Sequence, residues 1–222
     1  MSAFVDLSHA IESGMTTYPG LPEPRISDHL SREASRSKYD AGTTFQIGRI
    51  DMVANTGTYM DAPFHRFSGA SDIAGLPLAR LANLAGLLVD ATGEGRSIEA
   101  SLFAGLSLAG RAVLVRTGWD AHWRTPRYLQ GHPFLTRGAA EVLVAGAPAL
   151  VGIDTLNIDD TNDGARPAHT LLLGAGIPIV EHLCNLGALP AKGFLFTAVP
   201  APVRGMGSFP VRAYAAVFLE EE

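Results

Sequence analysis

The stretch Ala112-Val-Leu-Val-Arg116 is an uninterrupted apolar run that ends in an arginine. Similar runs lie at 86–90 and 150–154, and each has the length of a strand rather than of a helix. Strands that are apolar at every position are typical of a sheet with both faces covered. The three runs therefore predict a buried central sheet in the α/β class.

The segments around these runs predict further strands and a few helices. Apolar or alternating segments predict strands at 3–7, 43–54, 178–180, 194–198 and 211–218. Helical spacing of apolar residues predicts a helix at 132–145, a short helix is expected at 72–84, and 170–174 suits a helix or a turn. We expect an ordered loop at 14–24 and a loop or edge strand at 25–42. No linker divides the chain, so the sequence predicts one domain over 1–222 with a central mixed sheet.

Composition excludes several classes of protein. The formal net charge is −5 and no basic stripe is present, which excludes a nucleic-acid-binding surface. The chain has no apolar run of about 18 residues, so we expect no membrane span. The first residues lack the pattern of a signal peptide, and the lone Cys184 in an apolar segment suits a small buried thiol. We therefore expect a cytoplasmic protein.

The densest polar segment is Asn55-Thr-Gly-Thr-Tyr-Met-Asp-Ala-Pro-Phe-His65, which follows the predicted strand 43–54. Asp61 and His65 are four residues apart, but Pro63 disfavours a continuous helix, so we expect the two side chains to converge across a turn. A carboxylate beside an imidazole is either half of a metal site or a general base with its orienting group. An Asp that caps a turn and a surface His remain the alternative.

A second polar cluster follows the predicted strands at 150–154 and 178–180. It comprises Asp154-Thr-Leu-Asn-Ile-Asp-Asp160, Arg166-Pro-Ala-His169 and Glu181-His182. The carboxyl ends of strands are where α/β proteins commonly place their sites. Because an unpaired buried carboxylate is costly, Glu181 needs a partner, which is either the site or an arginine such as Arg166 or Arg212.

With these motifs the chain resembles the cyclase family, which includes bacterial kynurenine formamidases and isatin hydrolases. The family signature is His-x-Gly-Thr-His-x-Asp-x-Pro-x-His, and residues 55–65 match it everywhere except at the first two histidines. The similarity extends over nearly the whole chain. Further similar segments are Asp6-Leu-Ser-His9, 14–22, Gly152-Ile-Asp154, His169-Thr-Leu-Leu-Leu, 179–186 and Pro210-Val-Arg212-Ala. The resemblance implies a swivelling β/β/α domain that forms homodimers or larger homo-oligomers.

The resemblance also assigns roles by position. The two missing motif histidines are metal ligands in the family, and here Asn55 and Tyr59, both poor zinc ligands, stand in their places. The motif aspartate corresponds to Asp61, and the family's proton-transfer histidine corresponds to His65. The second-metal ligands of dinuclear members correspond to His169 and Glu181.

Two states of the site follow from this set. In the first, one zinc or manganese ion activates water or polarises a carbonyl. Its ligands would be Asp61, His65, His169 and Glu181. In the second, no metal is bound and His65 is a general base oriented by Asp61 or Glu181. Tyr59 and Asn55 would then donate hydrogen bonds to a developing oxyanion.

The resemblance predicts a hydrolase that cleaves the C–N bond of a small aryl formamide, lactam or imide. A metal-independent cyclase, isomerase or dehydratase, and a non-catalytic protein that binds a small molecule, are the alternatives. The residues expected to contact the substrate are Tyr18, Pro19, Phe64, Trp119 and Arg212. For Trp119 ordinary packing is the alternative, and for Arg212 it is an ion pair with an acidic residue.

Overall fold

A nine-stranded mixed sheet dominates the computed structural model, which describes residues 2–218. The strands are β1 (Ser2–Asp6), β2 (Arg25–Leu30), β3 (Ile47–Asp51), β4 (Tyr59–Asp61), β5 (Leu84–Asp90), β6 (Ser97–Ile98), β7 (Ala112–Arg116), β8 (Phe134–Leu135), β9 (Leu150–Ile153), β10 (Ile179–Glu181), β11 (Lys192–Thr197), β12 (Ser208–Pro210) and β13 (Tyr214–Phe218). The α-helices are α1 (Arg32–Ser35), α2 (Arg137–Gly146) and α3 (Pro167–Gly174). Short 3-10 turns connect many of them, among them Pro63–His65 and Trp119–His122.

The large sheet is parallel at its centre and antiparallel at both sides. Its strand order is β1-β13-β11-β5-β7-β9-β10-β4-β12. The pairs β5–β7, β7–β9 and β9–β10 are parallel, whereas β4 runs antiparallel to both β10 and β12. The α/β class with a central mixed sheet is therefore confirmed.

The apolar core lies on both faces of this sheet. Along β7, Ala112 and Leu114 belong to one buried cluster, and Val113 and Val115 belong to the other. This alternation explains the uninterrupted apolar run, because every side chain of a strand covered on both faces is buried. Helices α2 and α3 pack against the second cluster, mainly through alanines and leucines.

A separate two-stranded hairpin, formed by β2 and β3, lies outside the large sheet. The strand predicted at 43–54 is shorter in the structure, where β3 spans Ile47–Asp51 and every residue of it is exposed. It ends at Asp51, and the polar segment 55–65 is carried by β4 instead. Residues 25–42, predicted as a loop or edge strand, form β2 and α1.

Two predicted helices differ from the structure. The helix predicted at 132–145 begins at Arg137, because Phe134–Leu135 pairs with β6 and the Thr136 hydroxyl accepts a hydrogen bond from the Ala139 amide at 3.3 Å as an N-cap. Residues 72–84 form two 3-10 turns rather than a helix. Within residues 2–218, no helix combines the length and apolar character that crossing a membrane requires.

Candidate active site

The register of β4 with its two neighbours brings the polar side chains of the site together. Across β4 and β10, Tyr59 faces Glu181, and across β4 and β12, Asp61 faces Ser208. Residues directly opposite each other in antiparallel strands share a face, as do residues two apart along one strand. Tyr59 and Asp61 therefore point to the same side, while Met60 between them enters the core.

Glu181 is completely buried and is held by two donors. The Tyr59 hydroxyl donates to Glu181 Oε2 at 2.6 Å, and the Ile158 amide donates to Oε1 at 2.6 Å. The partner of Glu181 is thus neither Arg166 nor Arg212. Burial, assisted by Asp61 and opposed by His169, raises the pKa of Glu181 to about 7. Burial and the neighbouring Glu181 raise the pKa of Tyr59, so its hydroxyl stays neutral. The hydroxyl hydrogen is used in the hydrogen bond to Glu181.

His169 lies in α3, where Asp159 fixes its orientation. The carboxylate of Asp159 accepts the amides of Ala168 and His169 at the start of the helix, and His169 Nδ1 lies 2.7 Å from Asp159 Oδ2. His169 Nε2 is then directed between Asp61 Oδ2 at 3.5 Å and Glu181 Oε1 at 3.6 Å. Burial opposes protonation, but Glu181, Asp159 and Asp61 outweigh it and raise the pKa of His169 to about 10.

His65 lies in the 3-10 turn after β4 and is linked to Asp61 through Ser208. The Ser208 hydroxyl lies 3.0 Å from His65 Nδ1 and donates to Asp61 Oδ1. Asn55 Nδ2 donates to the same hydroxyl at 3.2 Å and reaches Asp61 Oδ1 at 3.5 Å. Burial would raise the pKa of Asp61, but His169, His65 and Ser208 hold it below its usual value.

Five of these residues line a cavity of about 340 Å³, whereas Asp61, Asp159 and Ser208 lie outside its lining. The side chain of His65 is 39% exposed there, whereas Asp61 beneath it is fully buried. The residues that line the cavity are Tyr18, Leu21, Asn55, Tyr59, His65, Arg66, Asn157, Arg166, His169 and Glu181. Acid–base groups at the floor and side of a concave pocket are the arrangement expected of an enzyme.

Comparison with known proteins agrees with this geometry. The family model described as "Putative cyclase" matches residues 5–160. The chain belongs to the cyclase family. A kynurenine formamidase from Bacillus cereus is 26% identical over 218 residues, which are 96% of each chain. Another, from Geobacillus thermodenitrificans, is 25% identical and covers 96% of this chain and 97% of its own.

Solved structures of the cyclase family share the fold. A potential metal-dependent hydrolase with cyclase activity superposes with a TM-score of 0.81 at 26% identity, covering 99% of this chain and 100% of its own. Isatin hydrolase A from Labrenzia aggregata has a TM-score of 0.84 at 24% identity, with 97% and 94% covered, and shows the fold. The chain is a hydrolytic enzyme of this family.

The donor set fits a divalent metal ion. Ligand atoms of Asp61, His65 and His169 all lie within 4.8 Å of one another. Asp61 Oδ2 is buried and has no hydrogen-bond partner among residues 2–218, so one strong acceptor remains available. A carboxylate on the far nitrogen, as Asp159 provides for His169, is the usual support of a ligating imidazole. Glu181 lies beside this group but outside it, with both oxygens occupied.

The residues predicted to contact substrate are distributed unevenly. Tyr18 lines the cavity, while the exposed Pro19 beside it and Phe64 are absent from the lining among the described residues. Trp119 lies elsewhere and donates its indole N–H to the Tyr128 carbonyl at 3.0 Å, so it packs as the alternative predicted. Arg212 pairs with Asp6 at 2.7 Å on the surface, which is also the alternative predicted.

Several site residues were not assigned a role by the sequence. Ser208 and Asp159 support His65 and His169, and Arg66 and Arg166 line the cavity. For Asp159 a signal existed, because it lies five residues after the strand-end Asp154 in a polar segment. For Ser208 no local signal exists, since its role depends on pairing with a strand far away in sequence.

Proposed function

We propose that this member of the cyclase family hydrolyses the C–N bond of a small amide, such as an aryl formamide, a lactam or an imide. The observation that carries the proposal is the chain of contacts Asp61–Ser208–His65, which ends with His65 in the lining of the cavity. An imidazole held at Nδ1 presents Nε2 to a substrate. The relatives named kynurenine formamidase and isatin hydrolase support the same reaction class.

His65 is the proton-transfer residue in this proposal. It accepts a proton from the attacking water as the water oxygen bonds to the amide carbonyl carbon, and it returns the proton to the nitrogen as the C–N bond breaks. The products are a carboxylic acid, which is formic acid for a formamide, and an amine from a formamide or lactam or an amide from an imide. Asp61 does not touch the water in this scheme, and it orients His65 through Ser208.

We further infer that a zinc or manganese ion binds at Asp61 and His169, and that the neighbouring His65, whose ring nitrogen also lies within 4.8 Å of their ligand atoms, stays free for proton transfer. A bound ion of this kind acts as a Lewis acid toward the carbonyl. Without an ion, His169 keeps its proton between Asp61 and Glu181, because three carboxylates raise its pKa to about 10. Metal and proton therefore compete for the same nitrogen.

Two matched histidine variants test the reaction and the metal site together. His65→Asn and His169→Asn are purified beside the wild type, metal content is measured by elemental analysis, and hydrolysis of formanilide, a lactam and an imide is followed by product release. We expect His65→Asn to keep its metal and lose turnover, and His169→Asn to lose its metal. No hydrolysis of any of the three substrates by wild-type protein loaded with zinc or manganese would overturn the proposed reaction.

We also propose that two copies of the chain form a homodimer through the hairpin of β2 and β3. Four large apolar side chains on and beside it are about half exposed, namely Ile26, Phe45, Ile47 and Ile50. A two-stranded hairpin is marginally stable in water unless another surface covers it. Light scattering after size exclusion should give twice the mass of 23.4 kDa, and Ile26→Asp with Ile50→Asp should give the monomer. A wild-type monomer would contradict this proposal.

A cytoplasmic location is proposed from the state of the lone cysteine. Cys184 is buried, and residues 1–222 contain no second cysteine with which it could form a disulfide. Such a thiol suits a reducing compartment. Cell fractionation should recover the protein with cytoplasmic markers, and recovery from the medium or periplasm would be contrary to the proposal.

A further inference from the structure

Two arginines line the cavity without a carboxylate partner. Neither Arg66 nor Arg166 has a carboxylate oxygen within 4.0 Å among the residues from 2 to 218. Other arginines of the chain do form such ion pairs, namely Arg36, Arg96, Arg116, Arg124 and Arg212. We call Arg66 and Arg166 together the arginine edge of the cavity. Its positive charge therefore has no carboxylate counter-ion among the described residues and is available to a ligand.

Arg166 is half-buried and is held in place by neutral acceptors. Its guanidinium donates to Asn157 Oδ1 at 3.3 Å, to the Tyr18 hydroxyl at 3.4 Å and to the carbonyls of Asp160 at 3.2 Å and Thr161 at 3.4 Å. These long bonds fix the plane of the guanidinium but do not neutralise its charge. Arg166 precedes α3 with a φ of +46°, so its position depends on the same turn that places His169.

Arg66 follows His65 directly, and both residues line the cavity. Its Nε donates to Thr170 Oγ1 at 3.3 Å, and its guanidinium lies 5.5 Å from the centre of the Phe67 ring. Within the described part of the chain, its two terminal nitrogens have no hydrogen-bond acceptor. A guanidinium with both terminal N–H₂ groups available can bind a carboxylate with two parallel hydrogen bonds.

The acid–base groups of the site line the same cavity. His65, His169 and Glu181 belong to its lining, and the fully buried Asp61 reaches His169 Nε2 with its Oδ2 at 3.5 Å. An anionic group on a substrate is attracted by the arginine edge. An amide at the other end of such a substrate can then face His65.

We propose that the substrate carries a carboxylate, which the arginine edge binds while the amide faces His65. The inference rests on the proposed hydrolysis and adds the charge and orientation of its substrate. The terminal nitrogens of Arg66 can bind a carboxylate with two parallel hydrogen bonds. Arg166, whose terminal nitrogens already donate to four neutral acceptors, adds its fixed positive charge. For an aryl formamide bearing a carboxylate, water cleaves the C–N bond to give formic acid and an amino acid anion.

The test compares each acid with its neutral counterpart. The 2-, 3- and 4-formamidobenzoates are paired with the corresponding formamidobenzamides, and unsubstituted formanilide reports the hydrolysis itself. We expect kcat/KM to be at least about 10-fold higher for one of the acids than for its carboxamide, and this preference to fall as ionic strength rises. Calorimetric titration of the same acids into metal-loaded protein measures binding without turnover.

Variants of the arginine edge identify the residues. Arg66→Gln and Arg166→Gln should each reduce the acid-to-carboxamide ratio of kcat/KM, and the double variant should bring it close to one. Arg166→Lys keeps the charge and the turn but loses the planar fork, so it should retain part of the ratio. Arg137→Gln, an exposed arginine of α2 outside the cavity, is the matched control and should keep the wild-type ratio.

The outcomes separate this inference from the proposed reaction. Hydrolysis of formanilide with equal rates for acids and carboxamides overturns the carboxylate site and leaves the reaction standing. Binding of the acids that is lost in Arg66→Gln and Arg166→Gln, without hydrolysis of any compound, supports the carboxylate site and overturns the reaction. A wild-type preference for acids that both variants keep unchanged places the anion elsewhere and overturns the assignment to the arginine edge.

Discussion

At the scale of single residues, Ser208 connects groups that are distant in the chain. Its hydroxyl contacts His65 and Asp61, 143 and 147 residues away, and it is 3% exposed. A hydroxyl donates one hydrogen, and Ser208 donates it to Asp61. The Ser208 oxygen then accepts hydrogen bonds from His65 Nδ1 and Asn55 Nδ2. This arrangement requires His65 Nδ1 to carry the hydrogen, which leaves Nε2 as the base.

Ser208→Ala should lower kcat by roughly 10- to 100-fold with little change in KM, the usual cost of losing a side chain that supports an active-site group. The pH–rate profile should shift as well, because His65 loses the contact that fixes its tautomer. Steady-state kinetics between pH 5 and 9 measure both effects. Ser107→Ala, at an exposed serine, is the control. An unchanged kcat and profile would show that Ser208 only fills space.

At the scale of elements, the turn that carries His65 lies directly against the chain entering β12. A Cβ built on Gly207 would lie 2.5 Å from His65 Cα, and the Ala62 amide donates to the Gly207 carbonyl at 2.7 Å. Close backbone approach of this kind requires glycine. The position of His65 is therefore set by two neighbouring elements, β4 and β12, rather than by its own turn alone.

Gly207→Ala should move the His65 turn and reduce kcat by about 10-fold or more, since small displacements of a catalytic group are costly. Gly164→Ala is the matched control, because a Cβ there meets nothing within 4 Å. Kinetics together with thermal unfolding measure the effect on site and fold. If both variants keep wild-type kcat, the contact with Gly207 does not position His65.

A stack of aromatic side chains behind the site makes the stability depend on pH. The ring of His9 lies parallel to Trp123 with centroids 3.9 Å apart, and Trp123 also contacts Tyr128 and His182 edge-on. Burial, only partly opposed by Asp120, lowers the pKa of His9 to about 4. The folded protein thus holds His9 neutral at pH values where the unfolded chain protonates it.

The contribution of His9 to stability should be complete above pH 6.5 and should be lost as the pH falls toward about 4. When the pH is lowered from 7 to 4.5, we expect the free energy of unfolding of His9→Gln to fall by about 2 kcal/mol less than that of the wild type. This figure allows for the partial exposure of the ring. Urea unfolding at both pH values measures the difference. His29→Gln, at an exposed histidine, should behave as the wild type, and an equal loss in His9→Gln would contradict the assignment.

At the scale of the whole molecule, both ends of the described chain enter the same sheet. Strand β1, at 2–6, pairs with β13, at 214–218, and the site lies between strands from the first and last thirds of the chain. The strands of the large sheet between them supply both buried clusters, so these strands share one core. We therefore predict that the chain is one cooperative domain, as the absence of a linker in the sequence suggests.

Calorimetry at a fixed protein concentration should give one unfolding transition. Leu114→Ala, in the fully buried centre of β7, should lower the free energy of unfolding by about 2–5 kcal/mol and shift the whole transition. Leu78→Ala, at an exposed leucine, should change it little. Two separate transitions, of which Leu114→Ala moves only one, would mean that the chain contains two domains.

The sequence by itself determined the centre of the sheet and the type of site. The strand at Ala112–Arg116 has the predicted bounds, because a strand buried on both faces must be apolar at every position. The segment 55–65 also identified the family and placed Asp61 and His65 across a turn, since Pro63 prevents a continuous helix. Both are local properties that a short stretch of sequence encodes.

Only the tertiary structure decided which distant residues complete the site. Ser208 joins His65 through the register of β12 on β4, and Arg66 and Arg166 line the cavity where Arg212 was expected. Helix α2 likewise begins at Arg137 rather than at the predicted residue 132, because β8 pairs with β6. Pairing between strands far apart in sequence is selected by the packing of the whole core, and no local pattern of residues specifies it.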